Sequence, residues 1–169
     1  MNYKNYLNEK NPQVVITVKG LGDIKLELFP EVAPITVKNF LKLVNEGFYS
    51  GIIFHRVIKG FMIQGGDPTG TGMSGSKEKI KGEFASNGVK NDLSHERGVI
   101  SMARTQIPDS ASSQFFIMHE DGEFLDGDYA AFGAVISGIN VVDEIASVQT
   151  DRRDKPLTDI VIEKAIVTR

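Results

Sequence analysis

The chain has 169 residues, of which 41% are hydrophobic and 24% charged, values typical of a single globular domain rather than of a disordered or coiled-coil chain. It carries 19 Lys and Arg against 22 Asp and Glu, and this slight acidic excess argues against a dedicated nucleic-acid-binding protein. Cysteine is absent, which excludes thiol nucleophiles, disulfides and cysteine-ligated zinc.

The first twelve residues are polar and end in Asn11-Pro12. We therefore expect a loosely held N-terminal arm over residues 1–12 and a folded domain over residues 13–169. The sequence shows neither a run resembling a signal peptide nor the ~20 consecutive apolar residues of a membrane span. We expect a cytoplasmic protein that does not act at membranes, and a monomer, because no pattern indicates an obligate assembly.

Alternating and β-branched patterns predict a chain rich in strands. A hairpin is expected over Val14–Leu28. Apolar residues at helical spacing follow over 31–45, with Pro34 in the first turn and Gly47 just past the end. A second helix is predicted over 139–147, and further strands over 52–57, 61–64, 99–102, 114–118, 130–135 and 160–167. Many short strands with two isolated helices favour a closed β-barrel over a parallel sheet.

The segment Gly70–Gly75 matches the dinucleotide fingerprint G-x-G-x-x-G. That motif functions only between a strand and a helix whose N-terminus holds the pyrophosphate. The residues that follow, 76–82, show no apolar helical stripe and end in a glycine. We interpret the segment as a surface loop, and nucleotide binding is the weakest hypothesis for this chain.

The three histidines, His55, His95 and His119, form no short-spaced ligand pair, so the sequence favours no metal site. A hydrolytic triad of Ser113, His119 and Asp121 is conceivable, but no nucleophile elbow surrounds the serine. We interpret these residues as structural.

An arginine stands inside an otherwise apolar pair of predicted strands. Strand alternation places Phe54 and Arg56 on one face and His55 on the other. By the same rule, three segments would present one mixed surface, formed by Arg56, Met62, Gln64, Gln114 and Phe116. An apolar patch with one arginine and two amides would suit a peptide-binding groove. From spacing alone, an ordinary salt bridge at a barrel rim explains the arginine equally well.

Five motifs closely resemble the sequences of the cyclophilin-type peptidyl-prolyl cis-trans isomerases: Phe54–Gly72, Gly98–Ala103, Ser112–Ile117, Leu125–Gly127 and Phe132-Gly133. The similarity extends from about Val14 to the C-terminus in the order of the family, and the residue choices are similar to those of bacterial single-domain cytoplasmic members. The resemblance implies a mainly β fold, a closed eight-stranded antiparallel β-barrel capped by two α-helices. It also implies an enzyme that accelerates rotation about X-Pro peptide bonds during protein folding.

The resemblance also assigns roles by matching position. Catalysis falls to Arg56, and the pocket for the substrate proline to Phe61, Met62, Phe116 and Leu125. The groove for the flanking substrate residues would be lined by Gln64, Ala103, Arg104, Gln114, Phe124 and Tyr129. The implied partners are proline-containing peptides and unfolded chains, and neither a metal nor an organic cofactor is implied.

Three of these positions depart from the pattern of many family members. Phe124 stands in place of a tryptophan, Tyr129 in place of a histidine and Arg104 in place of an asparagine. Without the indole N–H donor we expect cyclosporin to bind only weakly. The positive charge of Arg104 would shift the preference for the residue before proline.

A rival hypothesis from another class is a non-catalytic module or chaperone that binds proline peptides on the same barrel. Binding a proline ring requires only an apolar pocket. The presence of Arg56 beside that pocket therefore favours the enzyme.

Overall fold

An antiparallel sheet of eight strands forms most of the structure, a computed structural model that describes residues 1–169. Neighbouring strands follow the order β3-β4-β6-β5-β7-β2-β1-β8. The strands are β1 Gln13–Val18, β2 Gly22–Leu28, β3 Arg56–Ile58, β4 Met62–Gly65, β5 Val99–Met102, β6 Phe115–Met118, β7 Ala131–Ser137 and β8 Ile162–Val167, and the helices are α1 Pro34–Asn45 and α2 Ile139–Ala146. The predicted mainly β fold with two helices is confirmed.

The two edge strands, β3 and β8, do not form a ladder with each other. They approach through one isolated bridge between Ile53 and Val161, next to which the amide of Phe54 donates to the carbonyl of Ile160 at 3.0 Å. The sheet is therefore curled, with an incompletely paired seam. The full closure predicted from the sequence is not confirmed, because β3 spans only three residues and offers too short an edge for a continuous ladder.

Helix α1 begins at Pro34, three residues after the start of the predicted stretch 31–45. Pro34 lies in its first turn and Gly47 follows its end at φ +73°, both as predicted. No side chain of its own caps its N-terminus. Instead the buried carboxylate of Glu83 accepts hydrogen bonds from the amides of Ile35 at 3.2 Å and Thr36 at 2.6 Å. A negative charge at this end is favourable, because the free amides of a helix N-terminus carry partial positive charge. Neither helix is long and apolar enough to cross a membrane.

Aromatic rings fill the interior between α1 and the sheet. The ring of Phe40 lies 5.8 Å from that of Phe115 and 5.2 Å from that of Phe132. Phe54 joins this cluster, 6.0 Å from Phe115, while Arg56 is exposed. The prediction that Phe54 and Arg56 share a face is wrong, because the chain is irregular between them and alternation holds only within a continuous strand.

The N-terminal arm runs along the outside of the sheet. It contains one 3-10 turn, Tyr3–Tyr6, and the ring of Tyr6 lies 5.7 Å from that of Phe29. The backbone amide of Asn8 and the side-chain amide of Asn11 each donate to the buried carboxylate of Glu27 at 3.0 Å. Further hydrogen bonds join Met1 to Asp92 and Ser94, and Arg169 to the carbonyls of Asn8 and Asn11. That the arm is loosely held stays a prediction.

Candidate active site

Strands β3, β4 and β6 bring three of the predicted site residues into one row. The antiparallel register pairs Arg56 with Gln64, and Gln64 with Phe116. Side chains directly opposite each other in adjacent strands lie on the same face of a sheet. Arg56, Gln64 and Phe116 therefore share one face, as strand alternation predicts, because the ladders are regular here.

A depression of about 410 Å³ opens beside this row, and we call it the apolar pocket. Met62, Phe116 and Leu125 are buried, and Phe61 is half-buried. All four residues expected to hold a proline ring line this one depression. Its complete lining is Arg56, Phe61, Met62, Gln64, Ala103, Arg104, Phe116, Leu125 and Tyr129.

The chain after β6 forms the far wall of the apolar pocket. A single 3-10 turn, Glu123–Leu125, turns Leu125 inward and leaves Phe124 72% exposed. The ring of Phe124 lies 5.5 Å from that of Phe61, and the ring of Tyr129 stands nearly perpendicular to Phe116 at 5.8 Å. Phe124 therefore lies at the rim rather than inside the pocket.

The guanidinium of Arg56 begins a chain of side-chain hydrogen bonds. Its Nη1 donates to Oε1 of Gln64 at 3.2 Å, and Nε2 of Gln64 donates to Oε1 of Gln114 at 2.9 Å. Gln114 in turn donates to the carbonyls of Gly72 at 3.0 Å and Ser74 at 2.7 Å. Arg56 has no carboxylate partner, so the alternative of a rim salt bridge is not what the structure contains.

A second depression, of about 860 Å³, adjoins the first and shares Gln64, Ala103 and Arg104 with it. We call it the polar pocket. Loop residues form its other walls, at positions 72–76, 79, 105, 110, 112 and 114. The glycine-rich segment of the apparent dinucleotide motif is thus one of these walls, and no helix follows it. Gln114, expected in the groove, lies here rather than in the apolar pocket.

The buried carboxylate of Asp67 organises this glycine-rich wall. It accepts hydrogen bonds from the amides of Thr69 at 2.8 Å, Gly72 at 2.7 Å and Ser74 at 3.2 Å, and from the Thr69 hydroxyl at 2.8 Å. Burial raises the pKa of Asp67, but the hydrogen bonds outweigh it and lower the pKa to about 2. The carboxylate is therefore ionised at neutral pH.

A family model described as cyclophilin type peptidyl-prolyl cis-trans isomerase/CLD matches residues 13–167. The chain belongs to the cyclophilin family. Peptidyl-prolyl cis-trans isomerase B of Escherichia coli (strain K12) is 47% identical to this cyclophilin over 160 residues, which cover 87% of the chain and 94% of that relative. The resemblance found in the sequence is confirmed, and relatives include bacterial enzymes.

Solved structures agree with this assignment. The crystal structure of the cyclophilin type peptidyl-prolyl cis-trans isomerase of Cryptosporidium parvum is similar to the chain with a TM-score of 0.87 at 36% identity, covering 94% of this chain and 98% of that one. The same protein crystallised in the presence of the dipeptide Ala-Pro gives a TM-score of 0.85, over 93% and 99% of the two chains. This cyclophilin is an enzyme of the peptidyl-prolyl cis-trans isomerase class.

His95 supports the apolar pocket of this cyclophilin, a role that the sequence does not indicate. The buried ring of His95 stacks on that of Phe116 at 6.0 Å, with 17° between the planes. Its Nδ1 lies 2.8 Å from Asp126 and its Nε2 lies 2.9 Å from the Ser101 hydroxyl. Burial lowers the pKa of His95, although Asp126 opposes the shift. No local pattern indicates this role, because the contacting residues come from separate segments of the chain.

The residues of the conceivable hydrolytic triad have other partners in this cyclophilin. The Ser113 hydroxyl donates to the carbonyl of Gly66 at 2.7 Å. Nδ1 of His119 accepts from the amide of Gly60 at 2.9 Å, and its Nε2 lies 3.2 Å from Asp143. These contacts support the structural interpretation of both residues. No group of three or more His, Asp or Glu side chains is arranged to hold a metal ion.

Proposed function

We propose that this cyclophilin holds a substrate proline ring in the apolar pocket while Arg56 donates a hydrogen bond to the proline nitrogen of the twisted amide. One observation carries the proposal. An exposed guanidinium without a carboxylate partner stands at the edge of a depression whose base is formed by Met62, Phe116 and Leu125. That combination suits a group that is apolar at its ring and polar at its amide.

Prolyl isomerisation requires only an apolar pocket for the ring and a hydrogen-bond donor for the amide. Rotation about a peptide bond meets a barrier of ~18–20 kcal/mol, because the nitrogen lone pair is conjugated with the carbonyl. The uncatalysed reaction at proline consequently takes tens to hundreds of seconds. Because no bond breaks, neither a nucleophile nor a proton shuttle is required. A donor aimed at the nitrogen stabilises the pyramidal, deconjugated state and lowers the barrier.

Arginine suits that role for two reasons. Its guanidinium stays charged at every physiological pH, and its planar fork offers several donors, so one can serve Gln64 while another faces the substrate. The bond to Gln64 restricts the rotamers of Arg56 before substrate arrives. The arginine accelerates rotation only to the extent that it binds the twisted amide better than either planar isomer.

The proposed substrates are X-Pro segments of unfolded chains and exposed loops, encountered in the cytoplasm during protein folding. The Cryptosporidium parvum relative crystallised in the presence of Ala-Pro supports a proline dipeptide as the smallest ligand. The substrate backbone would run past Ala103 and Arg104, which border both pockets.

Exchange NMR on an Ala-Pro-containing peptide tests the proposal. Arg56→Ala should lower the catalysed exchange rate by about a hundredfold, as loss of one transition-state hydrogen-bond donor does in other enzymes, while peptide-induced shifts of Phe116 persist. Arg56→Lys, the control that keeps the charge but loses the fork, should recover only part of the rate. Equal rates for the wild type and Arg56→Ala would overturn the role of Arg56. Binding without acceleration by the wild type would identify a binding module instead.

A further inference from the structure

The two adjoining pockets carry charge of one sign. Three cationic side chains line them, namely Arg56, Lys79 and Arg104, and no aspartate or glutamate does. The chain as a whole has a net charge of −3. The lining of the two pockets is therefore positively charged although the protein as a whole is negatively charged, a distribution that favours anionic ligands.

None of the three cations is neutralised by an ion pair. Lys79 makes no side-chain hydrogen bond, and the carboxylate next to it in sequence, Glu78, pairs with Lys42 at 3.4 Å on the other side of the loop. The Lys79 ammonium is thus a free charge at the polar pocket.

The charge of Arg104 is held in a fixed position. Its guanidinium carbon lies 4.7 Å from the centre of the Phe84 ring and 4.8 Å from that of Tyr129, so the group is sandwiched between two aromatic faces. Its donors bond to the carbonyls of Asp128, Thr105 and Gln106. Because carbonyls are neutral, this clamp orders the side chain without cancelling its charge.

Three carboxylates in the segments around the two pockets do not line them. Asp67 lies behind the glycine-rich wall, where its oxygens accept hydrogen bonds from that wall. Asp109 accepts from the Gly82 amide at 2.9 Å and from Asn87 at 2.9 Å. Asp128 bonds to Arg104 through its backbone carbonyl and lines neither of the two pockets, although it borders a further depression next to Arg104. The charged side chains that line the two pockets themselves are therefore all cationic.

We propose that this cyclophilin prefers X-Pro segments with a carboxylate side chain within the two residues before the proline. The inference rests on the proposed function, since it requires the proline ring to occupy the apolar pocket. In an extended peptide successive residues are about 3.3 Å apart, so a side chain one or two positions before the proline is within reach of the adjoining polar pocket, which Arg104 and Lys79 line. A carboxylate there gains attraction from two unpaired cations, whereas a lysine at the same position is repelled.

Matched peptides test the preference. Peptides of the form Ala-Xaa-Ala-Pro-Phe and Ala-Ala-Xaa-Pro-Phe, with Xaa as Glu, Gln or Lys, are compared by exchange NMR, each against its own uncatalysed rate. At low ionic strength kcat/KM should be about threefold higher for Glu than for Gln in at least one series, the size expected for partly exposed ion pairs. The lysine peptide should be the poorest, and high salt should shrink the differences.

Charge-neutralising variants test whether Lys79 and Arg104 cause the preference for a carboxylate. The Glu-to-Gln rate ratio should fall towards one in the double variant Lys79→Gln with Arg104→Gln. It should be kept in Lys77→Gln, which removes the same charge from the same loop at a residue outside the two pockets. Both rates are measured on the same protein sample, so a lower concentration of folded protein reduces them equally and does not change their ratio.

Different outcomes would contradict the charge preference and the proposed function. Equal rates for the Glu and Gln peptides in the wild type would overturn the preference while leaving the isomerase mechanism intact. A ratio that persists in the double variant would overturn its assignment to these cations. If no peptide of either series is accelerated, the proposed function itself fails.

Discussion

The two adjoining pockets are built by different means. Met62 and Phe116, two of the three residues at the base of the apolar pocket, lie on β4 and β6, and the ladder between these strands fixes them together with Gln64. The polar pocket is walled by loops, and these are held by single polar side chains, the buried carboxylate of Asp67 and the stacked guanidinium of Arg104. The sheet therefore fixes most of the geometry of the apolar pocket. The geometry of the polar pocket depends on a few side chains, so single substitutions should disturb it without altering the apolar pocket.

Among single substitutions, Asp67→Ala should have the largest effect on the polar pocket relative to the apolar pocket. The substitution removes the acceptor of the Thr69, Gly72 and Ser74 amides. These three residues are exposed, so water can replace part of the lost bonding, and the loss should amount to that of one unsatisfied donor, about 1–3 kcal/mol. We expect the free energy of unfolding to fall by about 2 kcal/mol, measured by urea denaturation. NMR shifts should change around the glycine-rich wall more than at Met62 and Phe116.

Asp109→Ala is the control for this prediction. Its carboxylate accepts two hydrogen bonds, from the Gly82 amide and from Asn87, against five at Asp67, and the residue is exposed. Because water can replace an exposed acceptor, this substitution should destabilise the protein less than Asp67→Ala does. Equal destabilisation by the two substitutions, or shifts centred on the sheet, would contradict the distinction between the pockets.

A smaller effect should appear as the pH is lowered, and it involves His95 beneath the apolar pocket and His55 beside Gly72 of the glycine-rich wall. Burial lowers the pKa of His95 and of His55 below their ordinary value of 6.5. The unfolded chain therefore binds more protons than the folded one between the lowered pKa values and 6.5, and stability rises with pH across that window. Acidification from about pH 7 to about pH 5 should reduce the free energy of unfolding, measured by urea denaturation at each pH.

Single substitutions measure how much each histidine contributes to the dependence of the unfolding free energy on pH. His95→Gln should remove part of the slope and, because the ring supports Phe116, also alter the NMR shifts of the apolar pocket. His55→Gln should remove another part of the slope and leave those shifts nearly unchanged. An unaltered slope in both variants would refute the assignment.

The smallest effect is expected at the rim, at Phe124. This ring is exposed and packs on Phe61, so Phe124→Trp should change stability by no more than about 0.5 kcal/mol. The indole N–H adds one hydrogen-bond donor, worth roughly 1 kcal/mol, and we expect cyclosporin to bind about fivefold more tightly, measured by calorimetry. Phe124→Leu, which adds no donor, should bring no gain, and an equal gain in both variants would exclude the indole as its cause.

Alternation along strands predicted the row of Arg56, Gln64 and Phe116, because side chains in regular ladders obey a period of two. The same rule failed at Phe54, where the chain is not yet part of a strand. The support of Phe116 by His95 had no signal in the sequence. Stacking between segments far apart in the chain leaves no local period to detect.

The sequence by itself determined the order of strands and helices, the end of α1 and the motifs of the family, since propensity, periodicity and turn residues are local properties. Tertiary structure decided that the seam between β3 and β8 is only partly paired. It also decided that the glycine-rich loop walls a second pocket, and that Arg104 is clamped between Phe84 and Tyr129 with its charge unpaired. These features arise from contacts between distant segments, whose geometry only the folded chain defines.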